Sequence, residues 1–434
     1  MKQHLHVSGV VPLVLASAAF FVLGDLTPPP GAVAPSGKVL TDLEPRIAIN
    51  ATNTPGDANS VFRITQRGSY YLTGNVLGAV AKHGIEIEAS NVTLDLNGFC
   101  LFGLPGTLDG VASTGTLFNV TVKNGGIEGW GDDGIDLFAT KGAEVSNVRA
   151  KSNSGDGIYV FDSAVIRDCS SVSNVGYGFF AQDNCTFSNC SANENLGDGF
   201  FAFDSHSISG CAASYNIGSG FTVQGGCSFS DCVTTGNSGH GFATGAGCTL
   251  TGTNAFFNQL LGFTLGSNNV ATDCAVSNNQ SGGIAANSGC AISRCSVNSN
   301  AGVGISGSTG TIEGCVVSGN GGDGIRVGFR SYVLRNNCNS NGSGLSDGAS
   351  IHATGNDNRI EGNTCSISDR GIDVDTTGSI VIRNTCSGNT TNWDIVAGNS
   401  VAPIISTSTN AAAILGSTYA GSLGSTDPNA NFTY

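Results

Sequence analysis

Asp162, Asp183 and Asp204 recur at intervals of 21 residues, and Tyr159, Phe180 and Phe201 recur with them, three positions earlier. Phe161 and Phe203 stand directly before two of the aspartates. Carboxylates can serve as general acid or base, accept protons from sugar hydroxyls or hold a cation, and aromatic faces pack on the C–H surfaces of sugars. On one face of a protein these residues would make a carbohydrate groove. Asp162, Asp183 and Asp204 are then the candidates for catalysis, and Tyr159, Phe180, Phe201, Phe161 and Phe203 for substrate binding. Asp136, which follows Asp132 and Asp133 in GDDGID, extends the acidic row, and His206, two residues after Asp204, could share its face. No metal ligand set is evident. Calcium is the cation such a row would take, and the cofactor is otherwise left open.

A plainer reading stands beside this one. Tandem duplication copies surface residues into columns without selecting them for chemistry, and aspartate is common in turns. Stacked like charges also repel, unless one is protonated or a cation sits between them.

The elements that position these residues are written in glycine. From Gly157, a glycine followed by Ile or Phe recurs at Gly178, Gly199, Gly220, Gly241, Gly262, Gly283 and Gly304, each interval being 21 residues. Gly84, Gly110, Gly134, Gly324 and Gly371 continue the series with looser spacing. Units such as GFFAQDNCTFSNCSANENLGD contain short apolar and polar alternations separated by Gly, Asn and Ser, which predicts three short strands and their turns. The unit is too short for a helix pair. Stacked coils place equivalent residues about 4.8 Å apart, so each alignment column becomes a ladder. Ile158, Phe179, Phe200, Phe221, Phe242, Phe263, Ile284, Ile305 and Ile325 form a predicted inward stack, and Asn174 to Asn300 a predicted amide ladder. Carboxylates one and two rungs apart would be about 5 and 10 Å apart, bracketing the separations of retaining and inverting glycosidases.

RITQRGSYYLTGN and NVTLDLNGFCLFG, between Arg63 and Leu101, followed by N-x-G-x-G-[IF] rungs, resemble right-handed parallel β-helix proteins of the pectin-lyase-like superfamily. The likeness covers about Arg63 to Ala397 and implies an all-β, single-stranded right-handed solenoid with an N-terminal cap and a C-terminal cover. It specifies a fold and leaves the activity open. GDDG at Gly131, GHG at Gly239 and GIRV at Gly324 resemble elements of polygalacturonases, but five rungs, roughly 24 Å, separate Asp132 from His240, and Arg326 lies four rungs further on. They cannot form one site. Nor does the pattern of pectate lyases fit, because no R-x-P-x-x-R stretch occurs. A copper-carrier reading is weakened by the absence of Met beyond Met1.

The expected organisation is a signal peptide at 1–24, linker and cap at 25–65, β-helix at 66–400 and a C-terminal cover or tail at 401–434. A basic Lys2 and the apolar run from Val7 to Leu23 carry the first of these assignments and predict secretion, extracellular, periplasmic or cell-surface. No later segment approaches a membrane span. Acidic residues number 32 against 18 basic, a net charge of −14. Such a surface repels nucleic acid and anionic membranes and makes cations or neutral polymers the more natural partners, a polyanion needing a bridging cation or a local basic patch; polysaccharide is the expected partner. The oligomeric state is left open. Ten of the 15 cysteines fall in two columns of inward positions, Cys169, Cys190, Cys211, Cys232, Cys274, Cys295 and Cys185, Cys227, Cys248, Cys290. Parallel Cβ vectors suit disulfide torsions poorly, so buried thiols are expected in preference to inter-rung bridges. Two functional readings stay open: a protein that binds or processes polysaccharide, by glycoside hydrolase or lyase-like chemistry, and a non-catalytic structural, adhesion or cell-surface protein.

Overall fold

Each 21-residue unit of the central array closes one triangular coil because three of its residues take left-handed backbone conformations. In the unit around Phe179 to Phe187 these are Asn184 (φ 58°), Asn189 (φ 53°) and Glu194 (φ 57°). One rung on, Ser205, Gly210 and Tyr215 do the same. Asn, Asp, Ser and Gly dominate these corners since they tolerate positive φ. Between corners the chain is extended for three residues at a time, as in Phe179–Ala181, Thr186–Ser188 and Ser191–Asn193.

The computed structural model describes residues 44–342, 348–407, 416 and 423–434. It is a parallel β-solenoid. The first strand of each coil joins a 16-stranded sheet, sheet 1, running from Ser60–Ile64 to Thr391–Ile395, and the second and third strands join a bent sheet of 32 strands. Sheet 1 has sixteen rungs, more than the regular 21-residue array alone supplies. The additional rungs are the coils at the ends, where insertions disturb the period, as between Ile325 and Ile351.

The predicted inward stack is continuous. Phe179, Phe200, Phe221 and Phe242 are buried, with ring centroids 4.5 to 4.9 Å apart and interplanar angles of 7 to 12°. The Asn column is likewise buried, and it starts one rung earlier, at Asn153, and runs on through Asn320 to Asn341. Asn216 shows its bonding. Its Oδ1 accepts from the backbone N–H and the Nδ2 of Asn195, both at 3.0 Å, and its Nδ2 donates to Asn237 Oδ1 at 2.9 Å and to the Ala192 carbonyl at 3.2 Å.

All 15 cysteines are free thiols, and all but Cys100 are buried. A third column, Cys338, Cys365 and Cys386, joins the two expected ones. At the C-terminal end of the first column Asn takes over from Cys, Cys315 N–H donating to Asn336 Oδ1. The signal segment, most of the region before the solenoid and the Ala411 to Leu415 run lie outside the described residues. Ile47–Ala48 already pairs with Gly68–Tyr71, and Asn431–Thr433 pairs with both Ile404–Ser406 and Thr385–Ser387, so the last strand prolongs the sheet. No helix among the described residues is long and apolar enough to cross a membrane.

Two measurements test this interior. Asn216→Ala leaves buried donors and acceptors unpaired and should cost about 2 to 4 kcal/mol in urea denaturation. A thiol reagent should find at most one cysteine reactive in the native protein and all 15 in denaturant; a native protein that stays unreactive after unfolding without reductant would reveal disulfides.

Candidate functional site

Sheet 1 turns one column of side chains outward, between the two inward positions of each strand. In register this column reads Glu86, Ala112, Asp136, Tyr159, Phe180, Phe201, Thr222, Ala243, Thr264, Ala285, Ser306, Arg326, His352, Asp373, Asp394. Its chemistry changes along the axis, from acidic to aromatic, then to small, then to mixed charge.

The aromatic section is the ledge expected from the sequence. Tyr159 and Phe180 meet edge to face at 4.3 Å, and Phe180 and Phe201 stack at 5.4 Å with 12° between planes. Phe161 and Phe203 join from the adjoining turn, Phe203 packing 5.7 Å from Phe201 and Phe161 5.5 Å from Phe138. Two rings that sequence reasoning missed complete it: Phe138 against Tyr159 at 5.3 Å, and Tyr177 stacked on Phe201 at 4.8 Å. Gln182 Nε2 donates to the Tyr159 hydroxyl at 3.3 Å.

Asp162, Asp183 and Asp204 lie at the turn beside this ledge, and the carboxylates of the first two have work in the fold. Asp183 N–H donates to Asp162 Oδ1 at 3.5 Å and Asp204 N–H to Asp183 Oδ1 at 3.1 Å, while Lys141 Nζ lies 3.6 Å from Asp162 Oδ2. His206 does not share their face. It is 2% exposed, occupies the inward column of Cys185 and Cys227, accepts a hydrogen bond from Cys185 N–H at Nδ1 and packs against Phe187. Burial lowers its pKa, and it cannot reach a ligand on sheet 1. The period-two count that placed it outward fails because the corner at Ser205 turns the chain.

The concentrated titratable groups lie one rung before the ledge. Asp136 is paired in register with Tyr159, and its Oδ1 accepts from Phe138 N–H at 2.8 Å. A second row runs alongside, two residues before each inward position. Asp133 N–H donates to Asp109 Oδ1 at 2.9 Å, Asp156 N–H to Asp133 Oδ1, Tyr177 N–H to Asp156 Oδ1 at 2.6 Å and Ser219 N–H to Asp198 Oδ1 at 2.6 Å. Trp130, fully buried, anchors the loop with its indole N–H on the Leu101 carbonyl. His83 Nδ1 lies 3.1 Å from Asp109 Oδ2. The sequence carried a signal for this row: Asp-Gly before the inward residue, at Asp109, Asp133, Asp156, Asp198 and Asp323.

Crowded, partly buried carboxyls resist ionisation. Burial, then the neighbouring Asp156, pushes Asp133 up to about 8. Burial raises Asp136 and Asp156 to about 6, against the backbone N–H groups that favour their charged forms. Asp132 is raised by burial and by Asp109. Oxygens of Asp109, Asp132 and Asp133 lie within 4.8 Å of one another, an all-oxygen set of the kind hard cations take.

A second charged group closes the far end. His352 Nδ1 lies 3.0 Å from Asp323 Oδ2 and its Nε2 2.9 Å from Asp375 Oδ2, with Asp373 Oδ2 at 3.8 Å. Burial opposes its charge, but these carboxylates outweigh burial and lift its pKa to about 9. Arg370 Nη1 bonds Asp373 Oδ2 at 2.9 Å, and its Nε lies 3.0 Å from Asp394 Oδ2. Atoms of His352, Asp373 and Asp375 also lie close enough for a metal, though both ring nitrogens are engaged.

The fold and this outward column define an all-β parallel solenoid with a graded surface on one sheet. The model of the right handed beta helix region matches residues 60–207 and 181–311, and the chain belongs to that family. No curated protein matches it. Among solved structures it is similar to the A-module of Azotobacter vinelandii mannuronan C-5 epimerase AlgE6, at 16% identity over 78% of this chain and 91% of that one, with a TM-score of 0.31. Similar too are the periplasmic alginate epimerase AlgG, at 11% identity over 83% and 82% with a TM-score of 0.28, and the catalytic domain of a GH87 α-1,3-glucanase, at 12% over 82% and 64% with a TM-score of 0.29.

The carboxyl cluster has a consequence for stability. Groups whose folded pKa lies above the unfolded value keep protons that the unfolded chain has released, so their contribution is present at low pH and is lost as pH rises through about 6 and then about 8. His352 acts in the same direction, its contribution lasting until pH rises through about 9. The thermal midpoint should therefore fall between pH 5 and pH 8.5, and Asp133→Asn should flatten that fall; an unchanged slope in the variant would contradict the assignment.

Proposed function

We propose that the outer face of sheet 1 binds a polysaccharide chain laid along the solenoid axis, and that the carboxyls abutting its aromatic ledge perform acid–base chemistry on it. One observation carries the reading: Asp136 stands in register against Tyr159, the first outward ring in that column, with Asp133 and Asp156 beside it. Half-buried rings give sugar C–H faces a hydrophobic footing. Next to them, a carboxyl held up to about 8 is protonated at neutral pH and can donate, while groups held near 6 are largely ionised and can accept. Such an unequal pair is what cleavage of a glycosidic bond requires. Asp133 is the donor in this reading, and Asp136 or Asp156 the base. Asp162, Asp183 and Asp204 flank the ledge, the first two holding its turn. The substrate lies outside the cytoplasm, in keeping with the N-terminal segment, which reads as an export signal.

Binding and turnover should be measured on a panel of neutral and acidic polysaccharides. Phe180→Ala should weaken binding about 3- to 10-fold. Asp133→Asn and Asp136→Asn should lower turnover about 100-fold or more while leaving binding in place. Activity should be bell-shaped, bounded by values near 6 and 8. Binding without turnover by any glycan would reduce the face to an adhesion surface, and no binding at all would remove the reading.

A further inference from the structure

Beyond the ledge the outward column loses its rings. Thr264, Ala285 and Ser306 follow one another in register, and their small side chains leave a cleft of about 340 Å³. Arg326, the next residue in register after Ser306, lines it as well. The other polar groups on its wall include hydroxyls and the Asn287 amide. This surface differs in kind from the ledge, since nothing in it offers a flat apolar footing.

The guanidinium is held from behind. Arg326 Nε donates to Asp323 Oδ2 at 2.7 Å, and the Asp323 side chain is only 1% exposed. Asp323 is itself fixed twice, its Oδ1 accepting from Ala349 N–H at 2.9 Å and its Oδ2 lying 3.0 Å from His352 Nδ1. Only the Nε edge of Arg326 is engaged. Its side chain is 48% exposed and its terminal nitrogens have no partner among the described residues. A guanidinium so oriented offers two parallel N–H donors, the geometry that pairs bidentately with a planar anion. In a chain of net charge −14, recognition of an anion needs such a local, preorganised cation.

We infer that this cleft is a subsite for an anionic sugar unit, bearing a carboxylate or a sulfate ester, and that Arg326 determines that specificity. The inference rests on the polysaccharide reading and sharpens it: the bound polymer is acidic and long. Six rungs separate Phe201 from Arg326, about 29 Å along the axis, so only an extended oligomer engages ledge and cleft together. Hydroxyls of Thr264 and Ser306 would orient the ring, and Ala285 leaves it room.

Polygalacturonate, dextran sulfate and neutral dextran are the probes, titrated against the full chain at low and high salt. Wild type should prefer one acidic polymer, the choice between carboxylate and sulfate showing which anion is read. Arg326→Gln should weaken that binding at least 10-fold and leave the neutral polymer's unchanged, and Arg326→Lys should restore it only in part, because an ammonium lacks the paired donors. Ala285→Phe, which narrows the cleft two rungs from Arg326 and leaves Arg326 and Asp323 unsubstituted, should cause the same selective loss and serves if Arg326→Gln does not fold. Equal binding of acidic and neutral polymers by wild type, or acidic binding unaffected in the variants, overturns the subsite while leaving the ledge standing. Absence of binding to any polymer removes both.

Discussion

Every coil of a parallel solenoid must find its backbone hydrogen bonds in the coils above and below, and this constraint fixes nearly everything else. Strand residues meet it by pairing in register. Corner residues have no ladder of their own, so their groups bond from coil to coil, as Leu196 N–H does to the Asn174 carbonyl. The buried amides repeat the pattern, each Asn side chain accepting from one rung and donating to others, as at Asn216. A coil one residue too long would leave a corner unpaired inside the protein, where an unmet polar group costs about 1 to 3 kcal/mol. The 21-residue period of the central array is the imprint of that penalty.

Stacking like on like has opposite consequences for different side chains. Phenyl rings at the rung spacing gain contact, and Phe179 to Phe242 accordingly repeat without interruption. Carboxylates at the same spacing repel, and the molecule resolves this in two ways. Near the N-terminal end Asp109, Asp133 and Asp156 each accept a backbone N–H from the next rung, yet Asp133 and Asp156 remain buried and crowded enough that protonation persists to about 8 and about 6. Near the C-terminal end the outward column sets cations against the carboxylates, Arg326 and His352 being followed by Asp373 and Asp394, with Arg370 bridging the last two. The first solution leaves exchangeable protons on the surface, and the second leaves a fixed guanidinium.

The repeat was legible because its punctuation is strict: the Gly-[IF] positions, the inward stack and the Asn ladder could be read directly and are where the spacing put them. The aromatic ledge was legible for the same reason, since period two placed Tyr159, Phe180 and Phe201 outward. His206 was not, because a corner intervenes and alternation does not carry across a left-handed residue. The Asp109, Asp133 and Asp156 row was hidden by a different effect. It sits where the rungs are irregular, so Asp109 and Asp133 fall out of the 21-residue alignment, and only the shared Asp-Gly dipeptide ties them together. The Arg326 and His352 group was hidden by the insertion between their rungs, which puts 26 sequence positions between residues that are neighbours in the sheet.

Inside and outside are decoupled in this architecture to a degree that compact domains do not permit. Within one strand the residues on either side of an outward position point into the core, and those positions stay Ile, Phe, Val, Leu or Ala over most of the solenoid. The outward residue between them touches chiefly its counterparts one rung away. Its replacement therefore perturbs a ladder locally and leaves the interior packing alone, which is why a single column can run from Asp136 through three aromatic residues and five small ones to Arg326 on an unbroken scaffold. Because the scaffold sets the spacing of that column at about 4.8 Å per rung, the order of its chemistry is also a map of distance. A ligand that meets acid, ring and guanidinium in that order must itself be a chain.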